Sequence, residues 1–351
     1  MSLADPASHQ SPTRPPRGKP ALKLIKTHHL PREDWLQLRQ QGIGSSDAAA
    51  AVGLHPYKSP LQLWLEKTGR ATSMSQPDPQ DESSPMYWGT LLEPIVAAHY
   101  TKRTGHRVRR VNAVLQHPDM PWMLANIDRE VIGIPDVQIL ECKTAGIQGS
   151  RLWKDGVPEY VQLQVLHQLA VTGKQAADVA VLLGGQELQV HRIQRDEEMI
   201  AHLIDLEASF WRHVQEDHPP PADGSESSAK ALLALFPKDS GTTLNLQDDL
   251  VMNALFSDYL DARHQVEKFE TLEAQFKQSL QQRMGHATRM LFEQGSVTWK
   301  QAKDASVLDA ERLVRDHPDI AQRYQKVRAG GRRFLVVKEP SSFNESVSLV
   351  R

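Results

Sequence analysis

The sequence predicts a mixed α/β fold, a central sheet flanked by helices, with a mainly helical region after it. Three observations predict it. Apolar runs on either side of Gly133-Ile134-Pro135-Asp136, and again on either side of Gly184-Gly185, have the form of two β-hairpins. Helical patterns lie between and after them, at Leu91 to Thr104, Glu159 to Thr172 and Arg195 to Val214. His218-Pro219-Pro220-Pro221, followed by Asp223-Gly224-Ser225, then marks a boundary. The expected divisions are a disordered leader over 1–22, a catalytic-sized domain over 23–217, a linker over 218–240 and a helical region with short strands over 241–351.

Composition bounds the function. The 351 residues are 40% hydrophobic and 24% charged, as in ordinary globular protein, and the formal net charge is −2. A nucleic-acid partner must therefore meet a local basic surface, not the average charge of the chain. The single Cys142 excludes a disulfide framework within one chain and a four-cysteine zinc or iron–sulfur site. No apolar run approaches the ~18 residues of a membrane span, and the N-terminus shows no signal-peptide core, so the expected location is the cytoplasm.

In chain order, the proline-rich start is too polar to offset the entropy of ordering. Its basic residues Arg14, Arg17 and Lys19, with Lys23 and Lys26, suit a solvated tail. Pro31 to Gln41 reads as a short helix with Trp35 and Leu38 on one face. Gly42 to Asp47 reads as a turn and cap before an alanine run ending at Gly53, with Ser45, Ser46 or Asp47 capping that helix. A helix N-terminus with free amides and hydroxyls near Arg39 also suits a terminal phosphate. Ser59 and Pro60 open a further helix that closes at Gly69, and Ala71 to Pro85 reads as a polar loop. The helix from Leu91 places Glu93 in its first turn, where a carboxylate complements the dipole. Lys102, Arg103, Arg107, Arg109 and Arg110 form the densest basic patch, of the kind a phosphate backbone needs.

The stretch from Asp128 to Lys143 carries the chemistry. If Ile132 pairs with Val137 across a four-residue turn, Asp128 faces Glu141, with Cβ atoms about 4.5–5.5 Å apart. Alternation puts Glu141 and Lys143 on one face, turns Cys142 away and leaves the Cys142 carbonyl near the carboxylates. Paired carboxylates with a lysine suit a Mg²⁺ ion and a positioned water, and hence phosphodiester hydrolysis. A surface cross-strand ion pair is the alternative use of the same residues. On the next helix, Tyr160, Gln164 and His167 are expected to share a face. Val179 to Leu183 and Leu188 to Ile193 form the second hairpin, and Arg195 to Val214 an amphipathic helix on its sheet.

In the last region, Leu255, Tyr259, Ala262, Val266, Phe269, Phe276 and Leu280 make a heptad stripe for a helical hairpin, a partner protein or self-association. Strands at Ser296 to Gln301 and Arg333 to Val337 are expected to bracket a helix from Val307 to His317, with no catalytic constellation.

Taken in order, GIGSSDAAAAVGLHPYKSPLQLWLEKTG, WGTLLEP, ANID with ECKTA, and VPEYVQLQVLHQLAVTG resemble the lambda-type exonuclease family of phage and prophage nucleases, also called the YqaJ viral recombinase family. The resemblance spans roughly Trp35 to Val214. It implies a restriction-endonuclease-like core of PD-(D/E)xK type and Mg²⁺-dependent hydrolysis of DNA, with Mn²⁺ able to substitute. Carried over by position, Asp128 and Glu141 become the metal carboxylates, the Cys142 carbonyl a further ligand, Glu93 a ligand through water, and Lys143 the residue that positions or activates the attacking water. Gln164 matches the glutamine of the family's helix motif, with Tyr160 assisting. Arg39 and Ser46 match the pair that holds a 5′ phosphate, Asp119 is a weaker match to an acidic position upstream of the metal aspartate, and Ser45 and His167 are weaker site candidates. Arg129 stands where some members have glycine, and the interval from Arg39 to Ser46 is a residue longer than in the phage enzyme.

The activity implied is resection of double-stranded DNA from the 5′ end, leaving a 3′ strand for a single-strand annealing protein in a bacterial host. Family members are ring-shaped trimers, so a homotrimer is expected. The rival readings are an endonuclease or RecB-like nuclease of the same fold, and a DNA-binding assembly module with an idle site.

Overall fold

The computed structural model describes residues 20–27, 30–71, 74, 78, 80–327 and 330–336. Arg14, Arg17 and Lys19, nearly all of the expected leader, much of the loop from Ala71 to Pro85, and Val337 lie outside the described residues. The chain divides into two compact units, Met1–Pro237 and Lys238–Arg351.

The first unit opens with β1 (Leu22–Lys26), α1 (Arg32–Gln40) and β2 (Ile43–Gly44), a single 3₁₀ turn Ser45–Asp47, and α2 (Ala48–Ala51). Leu22 is thus strand, not leader, because it pairs with Gln116. Gly42 is fixed by space: a Cβ there would lie 2.4 Å from the Trp122 carbonyl oxygen. α3 (Pro60–Lys67) has the expected cap, Gln62 N–H donating to Ser59 Oγ at 3.1 Å, and ends at Gly69 with φ +71°.

α4 (Pro85–Thr104) begins two turns before the expected Leu91. Ser84 Oγ accepts from Met86 N–H and Pro85 fills the first position, so Trp88-Gly89-Thr90 is helix and Glu93 sits in the third turn, beyond the dipole's reach.

β3 (Arg107–Arg110), β4 (Ala113–Gln116), β5 (Met123–Ala125), β6 (Arg129–Ile132) and β7 (Ile139–Ala145) follow, then α5 (Glu159–Thr172), β8 (Ala176–Leu183), β9 (Glu187–Gln194) and α6 (Glu197–Gln215). The larger sheet runs β3-β6-β7-β8-β9, and the smaller runs β1-β4-β5-β2. In the larger sheet only β7 and β8 are parallel, which requires a crossover, and α5 supplies it. The result is the expected mixed sheet flanked by helices. α5 is buried on nearly every side, with Val161, Val165, Leu169 and Val171 inaccessible in the main core beside Ile139, Val179 and Val181.

α7 (Glu226–Leu235) forms inside the expected linker. Ser225 caps it, Ala231 enters a core with Leu61, Leu65 and Phe210, and Ser227 Oγ accepts from Ser59 N–H at 2.8 Å. The proline-rich run before it joins α6 to α7 within the first unit, which ends only at Pro237; the amphipathic sequence after Ser225 has a surface to cover and therefore folds onto it.

The second unit holds α8 (Leu250–Met284), 35 residues long, then the hairpin β10 (Arg289–Phe292) and β11 (Gly295–Thr298), and the short helices α9 (Ala310–Asp316) and α10 (Pro318–Arg323). β11 pairs with β10, and the described residues 333–336 of the other expected strand form none. The heptad stripe lies on α8 and is largely exposed within its unit. Among the described residues, no helix is long and apolar enough to cross a membrane.

Candidate active site

β6 and β7 pair Arg129 with Leu140 and Glu130 with Ile139, which is the expected register and brings Asp128 opposite Glu141. Asp128 just precedes β6, and its Oδ2 accepts from Cys142 N–H at 2.8 Å. Burial and the neighbouring charge of Glu141 push the Asp128 carboxyl up to about 8, against the pull of the Cys142 amide. Two acids that cannot comfortably ionise together are a place for a cation.

Glu141 is 3% exposed and fully engaged. Its Oε1 meets Lys143 Nζ at 2.8 Å and accepts from Gln164 Nε2 at 2.6 Å, while Oε2 accepts from Gln168 Nε2 at 2.8 Å. Lys143 Nζ also donates to Gln164 Oε1 at 2.8 Å. Burial draws the Lys143 pKa down, but the charge and hydrogen bond of Glu141 outweigh it and the net shift is upward. Lys143 is therefore held as an ammonium against Glu141. Burial, then the two carboxylates, push the Cys142 thiol far above its usual range, which leaves it unreactive.

The helix α5 delivers both glutamines because residues four apart lie on one face. Gln168 was not expected. The sequence placed His167 beside Gln164, but His167 points into the core, with Nδ1 2.7 Å from Glu207 Oε1 on α6 and Nε2 2.9 Å from the Leu124 carbonyl. It belongs to the scaffold. Gln168, completely buried, takes the place expected of it and also donates to the Asn126 carbonyl at 3.2 Å. The available signal was the four-residue step from Gln164.

Glu93 arrives beside the pair, but Arg129 Nη1 holds its Oε1 at 2.5 Å and donates to the Asp128 carbonyl at 2.8 Å. Arg110 lies 4.0 Å from the same oxygen. Tyr160 is half-buried one turn before Gln164, within the field of Lys143. Asp119 sits in the turn between β4 and β5, with its N–H donating to His117 Nδ1 at 3.1 Å.

Arg39, Ser45 and Ser46 line one cavity of about 150 Å³ together with Trp35 and Asn126. None of the three candidates caps a helix by side chain: Ser45 Oγ donates to the Asn126 carbonyl at 3.4 Å, and Asp47 is buried between Arg39 Nη2 at 2.6 Å and Lys67 Nζ at 2.7 Å. Burial would raise the Asp47 pKa, but Lys67 and then Arg39 outweigh it and hold the carboxyl far below its usual range. Arg39 also lies over the Trp35 ring, 4.8 Å from its centroid.

Residues 34–175 match the family described as YqaJ-like viral recombinase domain. An uncharacterized protein of Bacillus subtilis (strain 168), YqaJ, is 32% identical over 314 residues, covering 88% of this chain and 95% of that protein. The chain belongs to the YqaJ-like viral recombinase family. Among solved structures, an alkaline exonuclease from Laribacter hongkongensis is similar at 24% identity over 53% of this chain and 93% of that one, with a TM-score of 0.44. A phage-related exonuclease from Haemophilus somnus 129PT is similar at 10% identity over 52% and 97%, with a TM-score of 0.39.

Proposed function

We propose that this chain is a Mg²⁺-dependent deoxyribonuclease, an exonuclease that degrades linear double-stranded DNA from the 5′ end and leaves a 3′ strand for a single-strand annealing protein. A homotrimer is the proposed assembly. Membership of a viral recombinase family supports the class. The observation that carries the chemistry is the meeting of Asp128 and Glu141 beside Lys143, with Glu141 held by two glutamines.

The donors fit a hard cation. Among the described residues no cluster of three His, Cys, Asp or Glu side chains could hold a metal alone, so the ion would rest on two carboxylates, backbone oxygen and water. That is the habit of Mg²⁺, and Mn²⁺ suits the same oxygens. Bound Mg²⁺ supplies the charge that polarises the phosphodiester and acidifies a water. The chain's own residues do the rest. Asp128 and Glu141 hold the cation, Gln164 and Gln168 fix the rotation of Glu141, and the Lys143 ammonium orients the attacking water and offsets charge on the phosphoryl oxygens. The cavity of Arg39, Ser45 and Ser46 would take a terminal 5′ phosphate, and with it the polarity of digestion.

Linear duplexes bearing a 5′ phosphate or a 5′ hydroxyl, each labelled at one end, test this with Mg²⁺ or EDTA, beside Lys143→Ala and a circular duplex. The expected result is Mg²⁺-dependent loss from 5′-phosphorylated ends, absent in the variant and on circles. Cutting of circles would make it an endonuclease, and binding without cutting would mark an idle site.

A further inference from the structure

A row of three rings begins on α5, one turn before the Gln164 that Lys143 binds. The His55 ring meets the Tyr160 ring edge-on, with centroids 5.5 Å apart and planes at 65°. Tyr57 meets His55 in the same way, at 5.9 Å and 72°. Such edge-to-face contacts are worth more than their area alone. Tyr57 is nevertheless 70% exposed.

The segment that carries it is firmly held. Tyr57 N–H donates to His55 Nδ1 at 3.1 Å, Lys58 Nζ meets Glu66 Oε2 at 2.7 Å, and Ser59 caps α3 while its own N–H is bound by Ser227. Burial, then Lys58, lowers the His55 pKa, so its ring is a neutral aromatic surface at ordinary pH. A rigid, outward aromatic backed by two further rings, the innermost one helical turn from the glutamine that binds both Lys143 and Glu141, is how proteins hold an unstacked base.

We propose that Tyr57, supported by His55 and Tyr160, is the stacking platform for an unpaired nucleobase of the strand being cut, next to the scissile phosphate. This rests on the nuclease reading. It gives the site a way to hold an end open: every base has a π-face, so stacking stabilises the frayed terminus without sequence preference. Stacking of this kind acts alike on bound substrate and transition state, so it enters KM and leaves kcat nearly unchanged.

The test places 2-aminopurine at the 5′-terminal position of the cut strand in a 5′-phosphorylated duplex, with Ca²⁺ in place of Mg²⁺ to hold the duplex intact. Wild-type protein is expected to quench the probe by stacking, Tyr57→Ala to lose that quenching, and Tyr57→Trp to keep it. With Mg²⁺, Tyr57→Ala is expected to raise KM on the order of 10- to 100-fold at similar kcat. An unchanged thermal midpoint confirms that the variant folds, as an exposed position allows. Unchanged quenching and KM in Tyr57→Ala would overturn the proposal while leaving the nuclease standing, even if the variant lost a protein partner. Wild-type protein that neither binds nor cuts duplex would overturn both.

Discussion

Gln168→Met keeps the side-chain volume and removes two hydrogen bonds, from Nε2 to Glu141 Oε2 at 2.8 Å and from Nε2 to the Asn126 carbonyl at 3.2 Å. Leaving a buried acceptor without its donor costs about 1–3 kcal/mol. Part of that is offset, because Gln168 Oε1 is itself buried without a protein partner and the methionine removes it. The net loss is then at the lower end of that range, about 1–2 kcal/mol, or a few degrees of melting temperature for a unit of this size. Function should suffer more. With Oε2 released, Glu141 is held on one side only, by Gln164 and Lys143, and loss of such an outer partner typically costs 10- to 100-fold in metal affinity or activity. The assay is the Mg²⁺ dependence of hydrolysis of a linear duplex, with Mn²⁺ binding measured by calorimetry on the same preparation. The expected outcome is a folded variant whose half-saturating Mg²⁺ rises by about that factor. Wild-type cation affinity and turnover in folded Gln168→Met would refute the assignment of Gln168 as the residue that fixes Glu141.

Arg129→Gly leaves Glu93 with only the more distant Arg110 at 4.0 Å, and loss of such a charge-assisted hydrogen bond costs about 1.5–3 kcal/mol. A cation would recover part of it, so Mg²⁺ should raise the melting temperature of the variant more than that of the wild type; equal shifts would count against this. For His167, burial lowers the pKa but the charge and hydrogen bond of Glu207 outweigh it, so the folded value is raised above the usual ~6.5. The stability this pair supplies is fully present below that value and is lost as pH rises through the folded one. Urea midpoints from pH 6 to 9 should show the gap between wild type and Glu207→Gln closing toward alkaline pH, and a constant gap would contradict the charged pair. Arg39→Ala should collapse the preference for 5′-phosphorylated over 5′-hydroxyl ends by about 10- to 100-fold, the worth of a charge-assisted hydrogen bond. The ratio of kcat/KM values on the two ends reads this directly, because a general loss of stability cancels from it.

What the sequence made legible was chemistry with a short local period. The facing of Asp128 and Glu141 follows from a period of two and a fixed turn, and a slip of one residue would have buried the wrong faces. Gln164 could be placed because it lies on a helix bounded by Pro158 and Gly173. What was hidden is rotational phase. α5 is apolar nearly all round, so its pattern marks no outward face, and nothing local says whether position 167 or 168 meets the sheet. The decision is made by Glu207, 40 residues away, which draws the imidazole to α6 and leaves the amide of Gln168 for Glu141. Glu93 shows the same dependence. Trp88-Gly89-Thr90 looks like an interruption, and only the cap at Ser84 carries the helix through it and sets the direction in which Glu93 faces. That direction is toward Arg129, 36 residues away in sequence with three strands between. The carboxylate pair could be read from its own stretch of chain, whereas the groups that orient it come from helices whose phase is set by distant, buried, polar partners.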